Sequence, residues 1–236
     1  MNLKFKHVVK LITPPILLDV LKLAKRKKVR VGNAQVLSGE KGADWYDSTF
    51  DENTKWKVHY SSSDYYFLWT VIVDRMLHLG VSSVLEVGCG SGQLACLLRD
   101  RGIENYHGFD FSTKRLEQAQ LVCPEYSFSV EDAFETNLLE KVDYDAVLST
   151  EFLEHVEGDI EILRRIKPGT HFFGTVPNFP SASHVRHFHN ETEVIARYEQ
   201  CFEELKVDTI LANGIGKKFF LMGGVIKGRA SELGGE

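Results

Sequence analysis

The sequence of 236 residues has no apolar run near the roughly 18 residues needed to span a bilayer. It has four cysteines, Cys89, Cys96, Cys123 and Cys201, and no C-x-x-C pair. That spacing excludes a zinc ribbon and a disulfide framework, and fits reduced thiols in a cytoplasmic protein with no signal peptide. There is no internal repeat and no low-complexity tract. The dinucleotide fingerprint G-x-G-x-x-G is also missing, because Gln93 stands where its last glycine would be. With 43% hydrophobic and 26% charged residues, the chain has the composition of an ordinary globular protein.

The charge is unevenly spread. The first 30 residues hold nine Lys or Arg and one acid, Asp19; the rest holds 19 bases against 32 acids. An acidic body argues against general nucleic-acid binding. Residues 3–28 read as two basic amphipathic helices broken at Pro14-Pro15. Such a segment can lie on an anionic membrane surface, or pack on the body or on a second subunit. Residues 32–63 are polar and aromatic and read as a lid, with Tyr46 and Tyr60 as candidates to close over a substrate.

From residue 64 the pattern alternates between helix and strand. Asp64 can cap a helix whose apolar residues recur at three- and four-residue steps through Leu79. Strands are predicted at 84–87, 106–109, 126–130, 146–149 and 172–176, with helices between them. Two strands near 202–210 and 218–226 close the chain before a tail at 228–236. This implies a mostly parallel sheet covered on both faces, ending in an antiparallel hairpin.

The chemistry centres on Glu86-Val87-Gly88-Cys89-Gly90-Ser91-Gly92, where a strand turns into a helix over three alternate glycines. Glycines let a ligand lie against bare backbone, and the helix start offers free N–H groups. Eighteen positions after Gly92, Asp110 ends the next strand, followed by Phe111. A carboxylate there can accept both hydroxyl hydrogens of a ribose. Asp132 and Ala133 follow the third strand. The fourth runs into Thr150-Glu151-Phe152-Leu153-Glu154-His155. Glu151, Glu154 and His155 share a face if the turn is helical, as ligands for a divalent ion or as a base with its orienting carboxylates. His184, His187 and His189, past the fifth strand, can face the same pocket, as can Asn178.

The E-x-G-x-G-x-G pattern resembles motif I of class I S-adenosylmethionine-dependent methyltransferases. The Glu-x-x-Glu-His element is similar to that of ubiquinone-type O-methyltransferases, of bacterial glycan and small-molecule methyltransferases, and of small-RNA 2′-O-methyltransferases. The resemblance covers residues 64–226. It implies a Rossmann-like seven-stranded α/β domain (64–227) behind the N-terminal extension (1–63), and S-adenosyl-L-methionine as cofactor. It implies cofactor contacts from Glu86, Gly88, Cys89, Gly90, Gly92, Asp110, Phe111, Asp132, Ala133 and Thr150. The expected catalytic residues are His155, Glu154 and Glu151, and the expected metal site is a Mg2+ on Glu151, Glu154, His155 and His189. Tyr46, Tyr60, Asn178, His184, His187 and His189 are expected to meet the acceptor. The expected reaction is O-methylation of a sugar, glycan or related small-molecule hydroxyl. A small-RNA 2′-O-methyltransferase and a non-catalytic cofactor-binding scaffold are the alternatives. The oligomeric state is open.

Overall fold

The computed structural model describes residues 39–212 and 216–228. The expected amphipathic helices of residues 3–28 and their membrane contact lie outside the described residues, as does most of the expected tail. Among the described residues no helix is long and apolar enough to cross a membrane.

The chain order is α1 (Ala43–Glu52), α2 (Tyr66–His78), β1 (Ser83–Val87), α3 (Gln93–Asp100), β2 (Asn105–Asp110), α4 (Thr113–Val122), β3 (Ser127–Val130), α5 (Leu138–Lys141) and β4 (Ala146–Thr150). Then come α6 (Asp159–Arg165), β5 (His171–Pro177), α7 (Glu191–Tyr198), β6 (Phe202–Leu211) and β7 (Lys218–Ile226). The sheet order is β3-β2-β1-β4-β5-β7-β6. Strands β1 to β5 pair in parallel, and β7 runs antiparallel to both β5 and β6. The predicted sheet and its closing hairpin are therefore present. The strand order reverses between β1 and β4, so a crevice opens beyond the carboxyl ends of β1, β2 and β4.

Period-two alternation builds the two faces. Val84, Leu148, Phe173 and Leu221 pack on one side with Ile72, Met76, Ala95 and Leu98. Their neighbours Leu85, Val147, Phe172 and Phe220 pack on the other with Ile162, Leu163 and Tyr198. Helix α2 buries Leu68, Trp69, Ile72, Val73 and Met76, a stripe at helical spacing.

Two local expectations are corrected. Asp64 does not cap α2; the helix starts at Tyr66, its N-cap is Tyr65, and no side chain caps it. Asp64 instead lines the main cavity. The one-turn helix α5, too short to carry a period, was not expected. Ser112 caps α4, its hydroxyl accepting from Arg115 N at 3.4 Å.

Candidate active site

The glycine turn is built from left-handed backbone. Gly88, Gly90 and Gly92 have φ of 72°, 54° and 76°. A Cβ on Gly92 would sit 2.8 Å from the Ala119 backbone, so this glycine lets α3 and α4 approach. A Cβ on Gly90 would meet nothing within 4 Å: it would stand in the open crevice. Gly88 N and Cys89 N donate to the Phe109 carbonyl at 2.9 and 3.1 Å, tying the turn to the end of β2.

Asp110 completes the cradle. Its Oδ2 accepts from Gly90 N at 3.0 Å and its Oδ1 from Ser112 N at 2.9 Å. Each oxygen keeps a lone pair for a further donor. Burial raises its pKa, opposed by these backbone bonds and by Arg115. Glu86, also buried, accepts from the Tyr106 hydroxyl at 2.6 Å, and burial pushes it up to about 7. Burial likewise holds the Cys89 thiol well above its ordinary value, so it stays protonated and is no nucleophile.

The segment 43–62 is stitched over this turn. Ser91 Oγ donates to Trp56 O at 2.7 Å, Gln93 Nε2 to Val58 O at 2.8 Å, and Ser112 Oγ to Asp47 Oδ1 at 2.5 Å. Tyr46 packs 5.2 Å from Phe111 and 6.0 Å from His155, between centroids. Beneath lies a cavity of about 520 Å³ that reaches Glu86, Gly88, Gly90, Thr150, Glu151, His155 and His184. A smaller one of about 100 Å³ continues it past Asp110, Phe111, Asp132, Ala133 and Phe134. Tyr46, Gly88, Arg115, Glu151 and His155 line both.

The loop after β4 carries the reactive groups. Glu151 is the one non-glycine residue with positive φ (53°) among the described residues. Its strain is held by Thr175, whose hydroxyl accepts from Glu151 N and donates to Glu151 Oε1, both at 3.0 Å. Burial pushes Glu151 up to about 8. A 3-10 turn, Leu153–His155, follows. Arg186 holds that turn, donating to Leu153 O at 2.6 Å and pairing with fully buried Asp159 at 3.1 Å.

Glu154 is fully buried, and neither carboxyl oxygen has a hydrogen-bond partner. Its Oε1 lies 3.6 Å from His155 Nε2 and 4.0 Å from His184 Nε2. Each ring's Nδ1 is taken by a main-chain carbonyl: His155 by Ser183 O at 3.0 Å, His184 by Phe179 O at 3.1 Å. Donation there leaves both Nε2 lone pairs toward Glu154. Burial lowers the pKa of His155 to about 4 and also lowers that of His184, while burial and Glu151 raise that of Glu154. Glu154, His155 and His184 each offer one ligand atom, all within 4.8 Å of one another.

The sequence pattern of a methyltransferase domain matches residues 85–173. A ubiquinone biosynthesis O-methyltransferase from Neisseria meningitidis serogroup C (strain 053442) is 30% identical over 170 residues, 66% of this chain and 67% of the relative. The chain belongs to the class I S-adenosylmethionine-dependent methyltransferases. Magnesium protoporphyrin IX methyltransferase from Synechocystis PCC 6803, solved with bound S-adenosylhomocysteine, shares the fold. Its TM-score is 0.59 at 17% identity, over 78% of this chain and 98% of that one. So does 1,6-didemethyltoxoflavin-N1-methyltransferase from Burkholderia thailandensis: TM-score 0.58, 17% identity, 78% and 86% coverage. As a member of that family the chain uses S-adenosylmethionine as its cofactor.

Four expected site residues of the methyltransferase fall elsewhere. Tyr60 donates to Asp100 Oδ2 at 2.7 Å, at the far end of α3. Asn178 pins the β6–β7 turn, donating to Gly216 O at 3.0 Å and accepting from Lys218 N at 2.7 Å. His187 and His189 pack on each other at 5.5 Å, and His189 pairs with Glu193 at 3.0 Å. None of the four lines either cavity. In the cluster His184 therefore takes the place expected of His189, while Glu151 bonds Thr175 and stands outside the three-residue group. Lys55, Arg115 and Lys217 line the cavity and carried no signal in the sequence, since only the fold brings positions so far apart together.

Proposed function

We propose that the methyltransferase acts on a hydroxyl of a small-molecule diol, a sugar or a catechol, with a divalent ion such as Mg2+ held by Glu154, His155 and His184. The observation that carries this reading is the Glu154 carboxylate. It is sealed from solvent, has no donor, and faces two imidazole lone pairs. A buried carboxylate in that state is costly unless a cation joins it. One carboxylate and two imidazoles whose other nitrogens are fixed by carbonyls suit a divalent ion that accepts nitrogen ligands, Mn2+ ahead of Mg2+. The ion, when bound, supplies charge that lowers the pKa of a coordinated hydroxyl, while the sulfonium of the cofactor supplies an activated methyl.

The chain's own residues then align the two reactants. Asp110 and the glycine turn would hold the ribose and methionine part; Phe111, Asp132 and Ala133 would border the adenine. Tyr46 closes over the junction of the two cavities, excluding water where the methyl must pass. Trp45, Trp56, Tyr65 and Phe179 give the larger cavity flat apolar walls for a sugar or an aromatic ring. The Neisseria relative, named for O-methylation in ubiquinone biosynthesis, supports oxygen as the accepting atom.

A second reading keeps the acceptor without the ion. His155, held neutral by burial, takes the hydroxyl proton at Nε2. Methyl transfer from labelled cofactor to a catechol and to a methyl glycoside separates the two. The ion reading expects loss of transfer on chelation and recovery with Mg2+ or Mn2+; full activity after chelation supports the base alone. Absence of transfer to either diol overturns both. The basic residues 1–28 would bring the enzyme to an anionic membrane surface; equal binding of full-length and truncated protein to anionic vesicles would count against that.

A further inference from the structure

The rim of the 520 Å³ cavity carries more positive charge than its surroundings match. Lys55, Arg115 and Lys217 all line it. The Lys55 ammonium lies 4.3 Å from the Trp56 ring centre, and that of Lys217 lies 4.5 Å from the Phe179 ring centre. The Arg115 guanidinium lies 4.9 Å from the Tyr46 ring and 5.1 Å from the Trp56 ring. Rings hold the cations in place without neutralising them. Among the described residues neither lysine has a carboxylate within ion-pair distance.

The charges that face one another are few. Lys55 feels Arg115, Lys217 and one acid, Asp64, which lines the same cavity. Arg115 is balanced by Asp110 and Asp47. Glu86 and Glu151 also line the cavity, but they are bonded to Tyr106 and Thr175, and burial pushes their carboxyls up to about 7 and about 8. Among the described residues Asp64 is then the acid left beside the two lysines. Bound cofactor does not correct the excess. S-Adenosylmethionine carries a carboxylate, an ammonium and a sulfonium, so it adds a net positive charge. Lys55 and Lys217 are exposed, and a neutral acceptor would leave their charge to water; an anionic acceptor lying over them would displace that water and strengthen the attraction.

We propose that this mouth receives an acceptor bearing an anionic group, a carboxylate or a phosphate, which Lys55 and Lys217 bind while the reacting hydroxyl lies deeper, toward Glu154. The proposal rests on the reading of the cavity as the place of methyl transfer to a small molecule. The aromatic surfaces under both lysines favour a flat acceptor body between the two ends. Such an acceptor is a hydroxylated aromatic acid or the phosphate ester of a diol.

The test uses the full chain loaded with S-adenosylhomocysteine and two pairs of probes matched in shape but differing in charge. One pair is benzoate and benzamide; the other is 3,4-dihydroxybenzoate and its amide. Binding is read by ligand-detected NMR, and methyl transfer with S-adenosylmethionine in place of the product. The expected result is a preference of about tenfold for each acid over its amide, the size of one or two charge-assisted contacts. The double variant Lys55→Gln/Lys217→Gln should lose that preference and keep its calorimetric affinity for S-adenosylhomocysteine. Equal or absent binding of acid and amide overturns the proposal. So does a double variant that loses cofactor affinity while keeping the preference, since the lysines would then hold the cofactor's own carboxylate. Methyl transfer to the amide as fast as to the acid overturns the anionic site and leaves the diol reading intact. A benzoate preference that depends on the lysines, with no transfer to any diol, leaves the anionic site standing and removes the diol reading.

Discussion

His155 Nδ1 lies 3.0 Å from the carbonyl oxygen of Ser183, and that bond decides which face of the imidazole is chemically free. A carbonyl only accepts, so Nδ1 carries the hydrogen and Nε2 keeps its lone pair toward Glu154. Burial holds the ring's pKa at about 4, so the lone pair is available at neutral pH. His155→Ala is expected to lower turnover by roughly 10²- to 10⁴-fold, the usual contribution of a positioned base or ligand. Affinity for S-adenosylhomocysteine should hold, because the glycine turn and Asp110 do not use this ring. His187→Ala and His189→Ala should leave turnover near that of the parent, since both rings pair outside the cavities. Steady-state kinetics with calorimetry check all three; normal turnover in His155→Ala would remove it from the reaction.

Glu154 makes a prediction that needs no substrate. If a divalent ion joins Glu154, His155 and His184, it binds the native chain and not the unfolded one, and so raises Tm. At a concentration 100 times its Kd the gain is about 2.7 kcal/mol, or roughly 5–10 °C for a chain of this size. Mn2+ or Co2+ added to chelator-treated protein should produce that rise, and Co2+ should give a visible absorption band from its nitrogen ligands. Glu154→Gln keeps the side chain's shape and removes the charge, so it should abolish both signals. A flat melting curve with every ion tried would leave the cluster as a base with a buried carboxylic acid.

The glycines of the turn separate ligand from fold. Gly92→Ala would drive a methyl into the Ala119 backbone from a left-handed position. Strain of about 1–2 kcal/mol, plus overpacking of about 1–3 kcal/mol, should appear as a lower Tm. Gly90→Val meets no protein atom, so its cost is the strain alone. Its side chain instead fills the volume beside Asp110 that a nucleoside would take. The expected pattern is a folded Gly90→Val protein with no calorimetric affinity for S-adenosylhomocysteine. Retained affinity would place the cofactor elsewhere.

Much of this architecture could be read from the chain, and the limits have physical causes. The strands were legible because residues such as Val84 and Leu85, or Phe172 and Phe173, alternate between two buried faces. The glycine turn was legible because only a strand running straight into a helix needs such backbone. Among three histidines within six residues, however, no period distinguishes His184 from His187 and His189. The choice is made by the Phe179 carbonyl and by the Arg186–Asp159 pair that fixes the preceding turn. Tyr60 was read as lid because it is aromatic, yet its hydroxyl is drawn to Asp100. Asp64 has the chemistry of a helix cap and is used in a cavity wall. Lys55, Arg115 and Lys217 meet only because the lid, α4 and the final hairpin converge.

Glu151 links strain, burial and pH in one measurable effect. Its carboxyl is pushed up to about 8, mainly by burial, against 4.5 in the unfolded chain. Between those two values the native state binds more protons than the unfolded state. Stability of the cofactor-free, ion-free protein therefore falls as pH rises through that window, by the part Glu151 contributes. His155 acts in the opposite sense over a lower window. Its folded pKa of about 4 lies below the ordinary 6.5, so its contribution rises with pH between them. The clean test is Glu151→Gln, which keeps the bond from the Thr175 hydroxyl and cannot ionise. At pH 5 the carboxyl is protonated when folded, and variant and parent should melt together. At pH 9 the parent buries a charge and the variant does not. There the variant should melt higher by roughly 3–8 °C, for about 1–2 kcal/mol recovered. A gain of the same size at both pH values would mean that backbone or packing, and not ionisation of this carboxyl, sets the difference.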